Sequence, residues 1–370
     1  MALPICKTSL AARVQHTVRL RYGRRVADSD VLAGGVPATQ WTRRMIIGFG
    51  LAAPTLAVPW LAGCAPNDSG VDSPPASGPA SSVATADTTA SPGPTLTASN
   101  AGQAASEQAL AALSAAILVG PHREQLSEDR RELLAFLRDA HTAHAQAITD
   151  PLATPAPVQI GGMSLDGSLA LLSRRENSAA QYYRSAALEA QGSEALLWGS
   201  LSVAAANFAP AIGSHDPPAA NPVANPQPVA ILPEVDAVQE LVRQLHAIVY
   251  GYQQAIGKFK VLSNQRPKAE RELLAERVFR DGLIAWLKQH SADVPAAAPA
   301  YVPSVVPRNP ATAGRLIMSM QTALQPFCGL WLAASATQPD RQQALTALTT
   351  AMETARSWGA PLAAWPGWSS

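Results

Sequence analysis

The sequence predicts an all-α protein made of two consecutive four-helix bundles. Beyond Ser106 the chain has no alternating Val, Ile and Thr run of the kind that forms strands. Instead, apolar residues recur three and four positions apart in eight segments, which is the spacing of one face of an α-helix. The links between these segments also follow the same order of lengths in each half of the chain.

Four helices are predicted in each half, from stripes of apolar residues bounded by capping residues and prolines. Those in the first half cover about 105–118, 128–148, 165–190 and 193–209. Those in the second half cover about 233–260, 267–290, 309–331 and 339–358. Ser127 is a typical N-cap for the second helix, and Pro267 and Pro310 occupy favoured first-turn positions.

The link lengths indicate how the helices are connected. In each half a short link joins the first helix to the second, a long link follows (149–164 and 291–308), and a short link leads into the fourth helix. One long middle connection is what a ferritin-like bundle needs to carry the chain across. We therefore expect two ferritin-like bundles, at 105–212 and 233–370, joined by a linker at 213–232. The alternative is eight helices in one irregular all-α body.

A stretch near the amino terminus is typical of an export signal. Arg43 and Arg44 precede a short apolar run that ends in Leu61-Ala62-Gly63-Cys64. A twin arginine followed by a lipobox predicts a leader at 1–63 and lipid attachment at Cys64. The alternative is an uncleaved membrane anchor, but Pro54 and Pro59 interrupt a run that is barely long enough to span a bilayer.

Either interpretation places the rest of the chain outside the cytoplasm, and we expect it on the outer face of the cell membrane. Without the eight basic and two acidic residues of 1–63, the totals of 28 and 27 leave a net charge near −5. A mildly acidic protein lacks the excess of positive charge with which proteins bind the phosphate backbone of nucleic acid. Residues 64–104 contain mostly Ser, Thr, Pro, Ala, Gly and Asp, which predicts a disordered tether.

The second half resembles a known family through an ordered series of short motifs. They are His246-Ala-Ile-Val-Tyr-Gly-Tyr252, Arg280-Asp281, Ala297-Ala-Pro-Ala-Tyr301, Ala355-Arg-Ser-Trp-Gly-Ala-Pro361 and Trp365-Pro-Gly367. Residues 233–368 are similar to the ferritin-like domain of unknown function 4439, and the first half resembles the degenerate bundle that accompanies it. The resemblance implies an exported protein of actinobacterial lipoprotein type and a ferritin-like fold, without an established activity.

The second half departs from this pattern at Leu245 and Glu276, where a glutamate and a histidine are expected. It also contains no Glu-x-x-His, which di-iron bundles take from two of their helices. We therefore expect no di-metal centre there. Glu272, Glu276, Glu353 and Arg356 are interpreted as solvated or ion-paired groups and not as metal ligands.

The first half offers a different set of polar residues. His141 and His144 continue the stripe of Leu134 and Leu137, and Glu176 lies on the apolar stripe of the third predicted helix. Two histidines and one carboxylate facing a bundle interior are able to hold a single divalent metal ion. The pattern favours the other interpretation, a hydrogen-bonded buried cluster or the remnant of a lost site.

Two functional classes remain. The favoured one is a non-catalytic binding or scaffold module at the cell envelope, anchored through Cys64, with an envelope protein or an apolar ligand as partner and without a cofactor. The alternative is a redox or storage protein with a mononuclear iron, manganese or zinc site in the first bundle. The sequence contains no phosphate-binding loop and no Gly-x-Ser-x-Gly motif that would indicate an enzyme.

Overall fold

The computed structural model describes residues 98–148, 158, 160–224, 226 and 229–368. These residues contain eight α-helices and a single turn of 3₁₀ helix at Arg123–Gln125. The helices are α1 (Ala98–Val119), α2 (Glu128–Ile148), α3 (Leu165–Glu189), α4 (Gly192–Gly213), α5 (Glu234–Ile256), α6 (Gln265–Gln289), α7 (Pro310–Ala334) and α8 (Gln338–Ser357). The all-α prediction is confirmed, since no strand occurs in this part of the chain.

The helix ends follow from local chemistry. Ser164 accepts a hydrogen bond from the backbone of Gly167 at the start of α3, and Thr337 does the same for Asp340 at the start of α8. Asn309 and Thr312 form a reciprocal capping box around Pro310 at the start of α7. These caps satisfy backbone amide groups that have no partner inside the helix.

One predicted boundary is wrong. Helix α1 begins at Ala98, inside the segment 64–104 that was predicted to be a disordered tether. Residues 98–105 contain four alanines, which have the highest helix propensity. Ala104 is buried, so the added turns also pack against the rest of the protein. The rest of the predicted tether, the leader, Arg43, Arg44 and Cys64 lie outside the described residues.

The two sets of four helices pair in the same way. In the first set α1 contacts α2 and α3, and α3 contacts α4; in the second set α5 contacts α6 and α7, and α7 contacts α8. Each pair of helices joined by a short link therefore packs together, and the first helix of each set also packs against the third.

The two sets are joined through α3 and α4, which contact α7 and α8. Gly199 allows the close approach of α4 to α7, because a Cβ atom there would lie 2.4 Å from a methyl carbon of Leu332. One apolar cluster contains Tyr183 and Trp198 of the first set together with the core of the second. This apolar cluster therefore extends across both sets of helices.

The carboxyl-terminal segment after α8 returns to the first set of helices. Leu362 exchanges two backbone hydrogen bonds with the segment after α4, donating to Ala219 and accepting from Asn221. Leu362 and Ala364 belong to the apolar cluster of α1, α2 and α4. The tail of the second set thus forms part of the core of the first.

Helix α4, Gly192–Gly213, is long and apolar enough to cross a membrane by length and composition alone. The structure buries 83% of its most apolar stretch against other helices. A central helix of a packed helical protein has these properties as well.

Candidate functional site

Five polar side chains meet inside the first set of helices and form what we call the His–Glu cluster. Its members are Glu107 of α1, His141 and His144 of α2, and Glu176 and Tyr183 of α3. None of the five is more than 2% exposed. Side chains of this kind are rarely buried so completely unless they are paired with one another.

The helical period places these groups together. His141 and His144 lie three residues apart on the buried face of α2, in line with Leu134 and Leu137. On α3, Glu176 and Tyr183 are seven residues apart, which is two turns along one face. The two polar stripes face each other, since His141 of α2 contacts Glu176 of α3.

His141 lies between two carboxylates. Its Nδ1 atom is 2.8 Å from Oε2 of Glu107, and its Nε2 atom is 2.7 Å from Oε1 of Glu176. Burial disfavours the charged imidazole, but the two carboxylates outweigh this effect and raise the pKa of His141 to about 10.

His144 has one neighbour in the cluster and one in the carboxyl-terminal tail. Its Nδ1 atom is 3.0 Å from Oε2 of Glu107, and its Nε2 atom is 2.9 Å from the backbone oxygen of Ala364. The indole ring of Trp365 packs against the imidazole edge, with the ring centres 4.6 Å apart. The tail of the second set therefore closes the cluster on this side.

Glu107 is the centre of the cluster. It meets both histidines through Oε2, and its Oε1 atom accepts a short hydrogen bond from the hydroxyl group of Tyr183. Burial alone would raise the pKa of Glu107, but His141 and His144 reverse this through charge and hydrogen bonding and hold the pKa well below its usual range. Burial and the charge of Glu107 raise the pKa of Tyr183, so the phenol stays protonated and donates a hydrogen bond to Glu107.

Three of these residues lie close enough together to hold a metal ion. One ligand atom each of Glu107, His141 and His144 lies within 4.8 Å of the other two. In each case a further partner is in place: Tyr183 on Glu107, Glu176 on His141, and the carbonyl of Ala364 on His144. A histidine ligand commonly donates a hydrogen bond from its second ring nitrogen to a carboxylate or carbonyl partner of this kind.

The structure brings together the predicted residues His141, His144 and Glu176, but it changes the role of Glu176. This carboxylate contacts Nε2 of His141, on the other side of the ring from Glu107. Glu107, and not the predicted Glu176, therefore groups with the two histidines as the third potential ligand. The Oε2 atom of Glu176 is buried and has no hydrogen-bond partner among the described residues.

Glu107 was missed in the sequence, although a signal for it exists. It lies three residues before Leu110 and continues the buried stripe of Leu113 and Ile117 on α1. Extending the predicted stripe by one turn would have included it. Tyr183 lies on the same apolar stripe as Glu176, where an aromatic side chain indicates packing, and the contact from Ala364 is made by a backbone atom, which no side-chain pattern indicates.

The second set of helices contains a smaller polar group, which we call the Gln–Glu cluster: Tyr252 of α5, Glu272 and Glu276 of α6, and Gln321 of α7. The amide nitrogen of Gln321 donates to Glu276 at 2.7 Å and to the hydroxyl oxygen of Tyr252 at 3.1 Å. Tyr252 in turn donates to Glu272 at 3.2 Å.

The expectation that Glu276 is solvated or ion-paired is wrong. It is 8% exposed and forms no ion pair in the part of the chain that the structure describes. Burial, with a contribution from the charge of Glu272, raises the pKa of Glu276 to about 7 against the opposing effect of the Gln321 hydrogen bond. Arg356, also interpreted as solvated or ion-paired, is half-buried on α8, and burial lowers its pKa.

Residues 237–370 match the family model described as Domain of unknown function (DUF4439). The resemblance seen in the sequence is confirmed over this range. No curated protein and no solved structure matches the chain. The DUF4439 region comprises almost all of α5, all of α6, α7 and α8, and the tail that closes the His–Glu cluster.

Proposed function

We propose that this protein is a lipid-anchored helical module of the cell envelope that holds one divalent transition-metal ion in its first four helices. One observation carries the proposal: Glu107, His141 and His144 present three ligand atoms within 4.8 Å of one another in a fully buried site. Two histidines and one carboxylate are a ligand set found in mononuclear iron and zinc proteins.

The hydrogen bonds around the two histidines also suit a divalent ion. All four ring nitrogens face an oxygen that accepts hydrogen bonds: Glu107 twice, Glu176 once and the carbonyl of Ala364 once. An ion bound by the two Nδ1 atoms and Glu107 would replace the hydrogen bonds that now join these atoms, and the histidines would bind it through deprotonated nitrogens. The two Nε2–H groups would keep their present acceptors.

Burial argues against catalysis on a large substrate at this position. The ring of Phe208 packs against His141 at 5.8 Å, Trp365 packs against His144, and no ligand side chain is more than 2% exposed. An ion held here would connect α1, α2 and α3 and, through Ala364, the DUF4439 tail. We therefore favour a stabilising ion in a binding or scaffold module over a redox enzyme or a storage protein.

The envelope location is proposed from the sequence. Arg43 and Arg44 followed by an apolar run and Cys64 support export and lipid attachment. With a lipid at Cys64, the helical part would lie on the outer face of the membrane, where an envelope protein or an apolar ligand is the expected partner.

Metal analysis tests the proposal directly. The full chain, purified without chelator and then stripped with EDTA, is titrated with Co²⁺, Zn²⁺, Mn²⁺ and Fe²⁺ by calorimetry and by absorption spectroscopy. We expect one ion per chain, and at 1,000 times the dissociation constant about 4 kcal/mol of added stability.

His144→Ala should weaken binding by at least 100-fold, because it removes a ligand. His246→Ala is the matched control, since His246 lies on α5, is half-buried, and its Nε2 atom lies 3.2 Å from the carbonyl oxygen of Pro295. Equal binding by the two variants, or no binding by the parent protein, would contradict the proposed function.

The anchor is tested separately by Cys64→Ala. We expect the variant protein to lose lipid labelling with a palmitate analogue and to leave the membrane fraction when cells are lysed. A variant that still sediments with membranes as an acylated protein would show that the lipid is attached elsewhere.

A further inference from the structure

A groove lies between α6 and α8 in the DUF4439 region, on a part of the molecule remote in sequence from the His–Glu cluster. It has a volume of about 370 Å³, within the size range of small-molecule sites. Its walls are mostly apolar and come from Ala275, Phe279, Leu324, Ala347 and Ala351. Its polar lining comes from Gln342, Gln343, Thr346, Thr350 and one carboxylate.

That carboxylate is Glu276, which is more than nine-tenths buried and still lines the groove. Its Oε1 atom accepts the hydrogen bond from Gln321, while no protein donor contacts Oε2 within the described residues. No lysine, arginine or histidine lines the groove. The acidic group thus has a free acceptor atom and no positive charge beside it.

We propose that this groove binds a small organic cation that carries a primary ammonium group on a short apolar chain. The ammonium group would donate to Oε2 of Glu276 and balance its charge, which no side chain lining the groove among the described residues does. The chain would contact Phe279 and the alanine side chains of α6 and α8. An anionic ligand is disfavoured because the carboxylates of Glu272 and Glu276 would repel it.

The test uses three probes of equal chain length: hexylamine, hexanol and hexanoate. Each is titrated into the full chain at pH 8 by calorimetry. Hexylamine is expected to bind at least tenfold more tightly than hexanol, and hexanoate more weakly than either. Equal affinities for hexylamine and hexanol, or no binding of hexylamine, would overturn the proposal.

Two variants locate the site. Glu276→Gln keeps the shape of the side chain and the hydrogen bond from Gln321, and is expected to reduce hexylamine affinity at least tenfold. Thr350→Trp fills the groove and should abolish binding. Glu353→Gln is the control, because Glu353 is an exposed carboxylate on α8 outside the groove.

Circular dichroism and denaturant unfolding confirm that each variant is folded before the titrations are compared. Unchanged hexylamine binding by Glu276→Gln, or equal losses in Glu276→Gln and Glu353→Gln, would show that the amine binds elsewhere and would overturn the assignment. The outcome is independent of metal binding, since none of the substituted residues contacts the His–Glu cluster.

Discussion

Both halves of the molecule bury carboxylates among apolar helices, and the two groups differ in their neighbours. In the His–Glu cluster, Glu107 and Glu176 face two histidines that match them in number. In the Gln–Glu cluster, Glu276 faces a neutral amide and lies near a second carboxylate. The pKa of Glu107 is lowered and that of Glu276 is raised, although both side chains are buried.

The comparison shows that burial alone does not set the behaviour of an interior acid. Desolvation raises the pKa of both side chains, and only an adjacent positive charge reverses the effect. The same substitution, from glutamate to glutamine, should therefore change stability in opposite directions in the two clusters.

The largest effect is expected for Glu107→Gln. The substitution leaves two buried histidines facing a neutral amide, and breaking a buried ion pair costs about 3–5 kcal/mol. Urea denaturation at pH 7 of the EDTA-stripped protein measures this loss without a contribution from metal. A cost below about 1 kcal/mol would mean that the histidines are not held by the charge of Glu107.

Glu276→Gln is the matched substitution in the second set. A folded-state pKa near 7 lies above the ordinary value of 4.5, so the folded protein binds more protons than the unfolded chain between these limits. The contribution of Glu276 to stability therefore falls by up to about 3 kcal/mol as the pH rises from 4.5 to 7. Above pH 7 this contribution no longer changes.

The variant should remove this fall and be more stable than the parent protein at pH 8, with little difference at pH 4. Unfolding free energies of both proteins at a series of pH values test this directly. Parallel curves would show that folding does not change the pKa of Glu276 and would contradict this prediction.

Tyr183→Phe should have a smaller effect. It removes the hydroxyl donor to Glu107, and a hydrogen bond to a charged group contributes about 1.5–3 kcal/mol. Tyr252→Phe is its counterpart in the second set and should cost about 1 kcal/mol, because its contact with Glu272 is longer, at 3.2 Å. Equal costs in the metal-free proteins would remove the distinction between the two clusters.

The sequence predicts most of what depends on helical period. The stripes locate all eight helices, and they place His141, His144 and Glu176 on faces that meet. The prediction failed at the ends of stripes and at contacts between distant segments. Glu107 lies inside the first predicted helix, but one turn before Leu110, the first large apolar residue of the α1 stripe.

Other features depend on tertiary packing and leave little trace in the sequence. The carbonyl of Ala364 reaches His144 because Leu362 pairs with the segment after α4, more than 140 residues earlier. The burial of Glu276 was missed because an acidic residue without a basic neighbour is usually exposed. The contact of α4 with α7 depends on Gly199, whose role is evident only once Leu332 is placed beside it.

The most direct measurement is anomalous X-ray scattering from crystals of the stripped protein reloaded with Co²⁺ or Zn²⁺. The account predicts one peak, bonded to Nδ1 of His141, Nδ1 of His144 and Oε2 of Glu107, with the two Nε2 atoms still bonded to Glu176 and to the carbonyl of Ala364. Loaded crystals with no peak there, or with a peak only on surface carboxylates, would contradict it.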